Sequence, residues 1–159
     1  MINPLVQQLN NEITAFRIRY GRGVTDIHIL AWRGYLIGLY QYTIISEGEY
    51  TYLLHQLPPI KDVPGDAVVC SGDQITVIAV NDTYQWVAEL EGRLHASLYQ
   101  YGNPFNERQS AVWDGYFAGL YMHGGLSLDE FSYLSDQLVG FDHKPVVAIF
   151  RGVDEDPLA

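Results

Sequence analysis

The chain has 159 residues, of which 48% are apolar and 18% charged, enough to bury the core of a single domain. Its 19 acidic residues outnumber 9 lysines and arginines, and the net charge of -10 disfavours direct nucleic-acid binding and binding to anionic membranes. A protein partner with a basic surface is compatible with this charge. Cys70 is the only cysteine and belongs to no Cys/His cluster, so we expect no disulfide, metal site or cofactor.

The start of the chain, Met1 to Leu9, has no basic segment followed by an apolar stretch, and so does not resemble a signal peptide. The longest apolar stretch, Ile29 to Ile45, contains Arg33 and Gln41 and is shorter than the roughly 20 residues that a membrane span requires. We therefore expect a cytoplasmic protein without a membrane segment.

The sequence repeats itself at an offset of 81 residues without a gap. From Trp32 to Leu57, 12 of 26 positions are identical to those from Trp113 to Leu138, where chance would give about two. We therefore predict one domain, 1–159, made of two pseudo-twofold repeats, 1–80 and 81–159, that pack like the subunits of an isologous dimer.

The first predicted helix of each repeat is amphipathic. Apolar residues recur every three or four positions from Pro4 to Arg19, and the same spacing returns from Trp86 to Tyr101. Gly21 and Gly102 follow these segments and are typical of helix ends.

The second predicted helix, Asp26–Tyr42 and Glu107–His123, contains glycines four residues apart. An interior glycine costs roughly 1 kcal/mol relative to alanine, and close contact with another helix is the natural compensation. We therefore predict a seam where the two repeats pack together, flanked by tryptophans. The predicted inter-repeat packing residues are Gly34, Gly38, Gly115, Gly119, Trp32 and Trp113.

A capping box opens the third predicted helix of each repeat, at Ser46–Glu49 and at Ser127–Glu130. We expect these helices to end near Leu57 and Leu138.

Short strands are predicted after the third helix of each repeat. Asp66–Cys70 and Gln74–Val80 are rich in β-branched residues and are separated by a turn, and Pro145–Phe150 is the corresponding segment of the second repeat. The predicted fold class is therefore α+β and predominantly helical, with about three helices and a short strand in each repeat.

Candidate chemistry is sparse. No histidine recurs at the offset of 81, which argues against a catalytic histidine present in both repeats. Asp26 with His28, and Asp142 with His143, are possible acid/base or metal pairs, but a metal site needs three or four converging ligands. We predict no catalytic residue and no metal ligand, and expect a protein that is not an enzyme.

The two repeats differ in charge. Residues 1–78 contain seven acids and five bases, a net charge of -2, whereas residues 79–159 contain twelve acids and four bases, a net charge of -8. One interpretation is that the second repeat presents an acidic docking face to a basic protein partner. The other is neutral sequence drift at solvent-exposed positions. The candidate partner-binding residues are Asp129, Asp136, Asp142, Asp154, Glu155 and Asp156.

Four segments of the first repeat, Ala31–Tyr35, Gly38–Tyr40, Ile45–Tyr50 and Leu53–Pro58, resemble small accessory proteins carried by conjugative plasmids and phages. The resemblance implies a mobile-element protein that inhibits a host defence protein, as anti-CRISPR and antirestriction proteins do. Two alternatives stay open: an enzyme or small-molecule binder with a site at the seam between the repeats, and a helical nucleic-acid binder that uses the basic residues between Arg17 and Arg33.

Overall fold

In the computed structural model, the residues described are 3–58, 83–101 and 107–151. They form seven α-helices, with a short 3₁₀ turn, Gly21–Gly23, after the first. The helices are α1 Pro4–Tyr20, α2 Asp26–Gln41, α3 Glu47–Leu54, α4 Thr83–Tyr101, α5 Glu107–Met122, α6 Leu128–Ser135 and α7 Lys144–Arg151.

The predicted α+β class is wrong, because the described ranges are helical and contain no strand. Pro145–Phe150, predicted as a strand, lies within α7. The Asp142 side chain accepts a hydrogen bond from the Lys144 amide at 3.1 Å, and Pro145 occupies the first turn, where a helix needs no further N–H. The predicted strands Asp66–Cys70 and Gln74–Val80 lie outside the described residues.

The predicted amphipathic helix at the start of the chain is confirmed. The Asn3 side chain accepts from the Leu5 amide at 3.0 Å at the amino terminus of α1. Gly21 follows the last residue with a φ of 50°, a conformation that side-chain-bearing residues rarely adopt. The buried residues of this helix, spaced three or four apart, are Val6, Leu9, Ile13 and Phe16.

Both predicted capping boxes are confirmed. The Ser46 hydroxyl accepts from the Glu49 amide at 3.1 Å, and the Glu49 carboxylate accepts from the Ser46 amide at 2.8 Å. Ser127 and Glu130 form the same pair of bonds, at 3.1 and 2.7 Å. The helices α3 and α6 that follow have bounds that differ by 81 residues, as do those of α2 and α5.

Helices α2 and α5 form the centre of the molecule and make the most extensive contact among the described helices. Both are buried along most of their length. Helix α3 packs against α1 and α2, α6 packs against α4 and α5, and α7 contacts both central helices. Aromatic and hydrogen-bond contacts join α1 to α2 and α4 to α5.

Candidate functional site

Glycines let α2 and α5 pack backbone against backbone. An ideal Cβ at Gly34 would lie 1.9 Å from the carbonyl oxygen of Val112, and one at Gly115 would lie 1.9 Å from that of Ala31. These two contacts are related by the offset of 81, since Ala31 and Gly34 correspond to Val112 and Gly115. A side chain at either glycine would force the helices apart.

The next turn of each helix repeats the arrangement. A Cβ at Gly38 would lie 3.1 Å from the Tyr116 carbonyl oxygen, and one at Gly119 would lie 2.7 Å from that of Tyr35. Because both sets of contacts advance in the same direction, α2 and α5 run parallel, and their amino termini lie at the same end. We call this contact of α2 with α5 the seam.

Trp32 and Trp113, predicted beside the glycines, are buried and join the seam helices to outer helices. The Trp32 ring contacts Phe16 of α1 and Phe150 of α7, with centroids 6.1 and 4.8 Å apart. The Trp113 indole N–H donates to the Ser97 hydroxyl of α4 at 3.3 Å.

Polar side chains cross the seam near its carboxyl end. The buried Gln41 carbonyl oxygen accepts from the Tyr116 hydroxyl at 2.5 Å and from the Arg93 guanidinium at 2.7 Å. The Tyr35 hydroxyl lies 3.0 Å from His123 Nε2. Burial lowers the pKa of His123 and raises that of Tyr35, so both side chains favour their neutral forms in this hydrogen bond.

Asp114 of α5 is a carboxylate within the core, with 1% of its surface exposed. The Ser135 hydroxyl donates to its Oδ1 at 2.5 Å, and His143 Nδ1 lies 3.0 Å from its Oδ2. The hydrogen bond with Asp114 raises the pKa of His143, against the opposing effect of burial. We call these three side chains the Asp114 cluster.

The Asp114 cluster lacks the geometry that activates a serine nucleophile. In a catalytic triad, histidine contacts the acid through one ring nitrogen and serine through the other. Here the Ser135 hydroxyl lies 3.1 Å from His143 Nδ1, the nitrogen that faces Asp114, and the hydroxyl donates a hydrogen bond to the carboxylate. The cluster therefore links the end of α6 and the start of α7 to α5. It does not activate the Ser135 hydroxyl as a nucleophile.

A cavity of about 500 Å³ lies at the amino-terminal end of the seam. It is lined by the start of α2, the start of α5 and the segment that joins α6 to α7. Its polar lining residues are Thr25, His28, Glu107, Ser110 and Asp142. We call it the seam cavity.

His28 lines this cavity, and its surroundings determine the tautomer and the protonation state of its imidazole. Its Nδ1 accepts a hydrogen bond from the Thr25 amide at 3.1 Å, which leaves the ring proton on Nε2. Burial lowers the pKa of His28, so the imidazole is neutral near pH 7. Within the described ranges, no group of three or more His, Cys, Asp or Glu side chains is arranged to hold a metal ion.

The predicted partner-binding residues fall into three groups. Asp129 on α6 and Asp136 directly after it are exposed, and Asp142 lines the seam cavity. The remaining three, Asp154, Glu155 and Asp156, lie outside the described residues.

An exposed tyrosine of α6 lies between one aspartate of this helix and a second aspartate directly after it. Asp129, Tyr133 and Asp136 follow one another at four and three residues and are all exposed, as expected for one helix face. The Tyr133 hydroxyl donates to Glu91 of α4, and the Gln137 amide donates to the same carboxylate at 3.0 Å. We call Glu91, Asp129, Tyr133 and Asp136 the acidic face.

The Asp114 cluster was not predicted from the sequence, which left open a site at the seam but did not indicate the residues that line the seam cavity. One feature of the sequence did indicate such a cluster: Asp114 lies in the middle of the apolar segment Ala111–Phe117, and a buried carboxylate needs hydrogen-bond partners. Nothing in the sequence identifies Ser135 and His143 as these partners.

Comparison of the chain with known protein families, curated proteins and solved structures gives no match. No helix in the described part of the chain is both long and apolar enough to cross a membrane.

Proposed function

We propose that the chain is a non-enzymatic protein-binding module whose acidic face binds a basic surface of a partner protein. The observation that carries the proposal is a difference between two matching helices. Asp129 and Tyr133 of α6, with Asp136 directly after it, stand at the positions of Gly48, Tyr52 and His55 in and directly after α3. The two helices share their length, capping box and exposed tyrosine, but only the second set of positions carries acids.

Exposed apolar side chains of α6 supply contact area. Tyr133 is 52% exposed and Leu128, next to Asp129 in the sequence, is 46% exposed. Aromatic residues are enriched in the cores of protein interfaces, and acidic residues around them steer a basic partner and exclude acidic ones.

Hydrogen bonds order two side chains of the acidic face, Tyr133 and Glu91, before binding. The hydrogen bond that the Tyr133 hydroxyl donates is the main cause of the lowered pKa of Glu91, so this carboxylate stays ionised. His95 Nε2 lies 2.9 Å from the Gln137 side-chain oxygen and extends the network along α4. Side chains that are already ordered lose less entropy when a partner binds.

The partner class that fits this chemistry is a protein with a basic nucleic-acid site. The resemblance to plasmid and phage accessory proteins favours a host restriction or CRISPR component. The acids are interspersed with apolar residues, which favours an ordinary protein interface over close mimicry of a DNA duplex.

The test compares three tagged proteins in pull-downs from bacterial lysate at low and high salt. They are the natural chain, the acidic-face variant Asp129→Asn/Asp136→Asn, and the control Glu12→Gln/Glu47→Gln, which also loses two exposed negative charges. Asp129 and Glu47 both lie in the first turn of a helix, so the two variants lose a similar interaction with a helix dipole.

We expect a protein that is captured at low salt by the natural chain and the control but not by the acidic-face variant. Its affinity, measured with the purified pair by calorimetry, should fall about tenfold or more in the acidic-face variant. Equal capture by all three proteins, or capture of nucleic acid alone, would contradict the proposal.

A further inference from the structure

We propose that a cavity beside Trp32 binds a small, uncharged aromatic molecule that carries a hydrogen-bond acceptor such as a carbonyl oxygen. This inference is independent of the acidic face and goes beyond the protein-binding function. It rests on a buried donor without a partner, on a difference between the two repeats, and on an aromatic cavity at the same place.

The indole N–H of Trp32 is buried and has no hydrogen-bond partner among the described residues. An indole nitrogen is a donor only, and a buried donor without an acceptor costs more free energy than an ordinary hydrogen bond contributes. Nearly all buried polar groups of folded proteins have a partner. The exception at Trp32 therefore calls for an acceptor that the packing around this side chain does not supply.

The corresponding tryptophan of the second repeat does have an acceptor. The Trp113 indole N–H donates to the Ser97 hydroxyl of α4 at 3.3 Å. At the offset of 81, Ser97 corresponds to Phe16 of α1, a side chain without an oxygen or nitrogen. The Phe16 and Trp32 rings are in contact, with centroids 6.1 Å apart. Trp32 thus contacts the same position of its outer helix as Trp113 does, but meets no acceptor there.

A cavity of about 230 Å³ lies at this contact of α1 with α2 and extends to α7. We call it the Trp32 cavity. The Trp32 ring lies 5.3 Å from the Tyr35 ring and 4.8 Å from the Phe150 ring, between centroids. The aromatic residues among its described lining are Phe16, Tyr20, Trp32, Tyr35 and Phe150.

The size and the lining of the Trp32 cavity suit a single aromatic ring. An apolar cavity of about 150 Å³ is enough to bind benzene, so a volume of about 230 Å³ accommodates one ring with a small substituent. Aromatic rings pack favourably on one another in stacked or edge-to-face arrangements. The rings that line the cavity therefore favour an aromatic ligand over an aliphatic one.

The polar groups of the cavity favour an uncharged ligand with an acceptor. Glu12 and Arg19 both line it, and their opposite charges give no preference for an ion of either sign. Burial of an unpaired charge among aromatic rings is costly. The Tyr35 hydroxyl is already hydrogen-bonded with His123 at 3.0 Å. An acceptor on the ligand is therefore matched to the Trp32 N–H.

The experiment titrates the full chain, labelled with ¹⁵N, with acetophenone and with α-methylstyrene, in which a CH₂ group replaces the carbonyl oxygen. Indole and backbone N–H signals report binding. The dissociation constants of both probes are compared between the natural chain and Trp32→Phe, which keeps an aromatic ring but has no indole N–H. Each probe serves as the control for the packing change that the substitution causes in the other.

A second pair of variants tests the position of the site. Ala15→Leu places a larger side chain at the cavity, and Ala96→Leu makes the same change at the corresponding position of α4, away from the cavity. Both alanines are exposed on helices, so both variants should fold. This pair and the indole signals of the natural chain provide the test if Trp32→Phe does not fold.

We expect acetophenone to move the Trp32 indole proton signal downfield and to leave that of Trp113 in place, because Ser97 already occupies the latter. In Trp32→Phe, the affinity for acetophenone should fall about fivefold or more relative to any change for α-methylstyrene, since only the ketone loses a hydrogen bond. Ala15→Leu should weaken the binding of both probes, and Ala96→Leu should bind them as the natural chain does.

Three results would each overturn the proposal. The first is a Trp32 indole signal that does not move in millimolar acetophenone. The second is an equal change in affinity for the two probes in Trp32→Phe, and the third is equal binding by Ala15→Leu and Ala96→Leu.

Discussion

Gly34 of α2 lies against the backbone of Val112 in α5, so closely that a Cβ on the glycine would fall 1.9 Å from the valine carbonyl oxygen. This contact explains why a buried helix contains glycine, although glycine costs roughly 1 kcal/mol there relative to alanine. The absence of a side chain allows two backbones to meet, and the packing gained across the seam offsets the cost of the glycine.

Substitution of Gly34 by alanine should destabilise the protein by about 3 kcal/mol or more, because the methyl group has no space and the helices must separate. Gly92→Ala is the matched control. Gly92 lies within α4, and a Cβ there would meet no atom within 4 Å. The control should therefore gain about 1 kcal/mol from helix propensity alone. Urea unfolding measures both, and similar effects of the two substitutions would contradict the packing argument.

Removal of the Ser135 hydroxyl should cost about 1–3 kcal/mol, because a buried carboxylate loses a hydrogen-bond donor. Ser135→Ala is compared with Ser132→Ala, an exposed serine on the same helix, which should be neutral or slightly stabilising. Thermal unfolding of the two variants provides the measurement. If Ser135→Ala is as stable as Ser132→Ala, the hydroxyl contributes nothing to the Asp114 cluster.

The stability that His143 contributes should depend on pH. Its pKa is raised above the usual 6.5 by the hydrogen bond with Asp114, so the folded state binds the proton more tightly than the unfolded chain does. This contribution is fully present below pH 6.5 and is lost as the pH rises through the folded-state pKa.

The measurement is the free energy of unfolding of the natural chain minus that of His143→Gln across this pH range. We expect the difference to be largest below pH 6.5 and to shrink above it. His28 and His123, whose pKa values are lowered, act in the opposite direction but are common to both proteins. A difference that does not change with pH would show that folding leaves the pKa of His143 unshifted, contrary to this prediction.

Gln41→Met should destabilise the protein by about 2 kcal/mol, because Arg93 and Tyr116 lose a buried acceptor. Its control is the reverse change at the corresponding position, Met122→Gln, where the side chain is 42% exposed and little change is expected. Chemical denaturation of both variants tests this prediction, and equal midpoints would argue against it.

Local patterns in the sequence predicted where α3 and α6 begin, but these helices end at Leu54 and Ser135, three residues before the predicted ends near Leu57 and Leu138. Serine and glutamate three residues apart form the caps of α3 and α6, because a capping box needs only neighbouring residues. The same local reasoning failed at α7, where β-branched residues predicted a strand. A capping aspartate at Asp142 and a proline in the first turn begin a helix there instead.

The sequence by itself determined the amphipathic helix α1, the caps, the glycine spacing and the unequal charge of the two repeats. All of these depend on residue type and on spacings of a few residues. Only the tertiary structure decided that α2 and α5 run parallel, that Asp114 meets Ser135 and His143, and that three separate segments enclose the seam cavity. These features depend on contacts between residues far apart in the chain, and no local pattern specifies such partners.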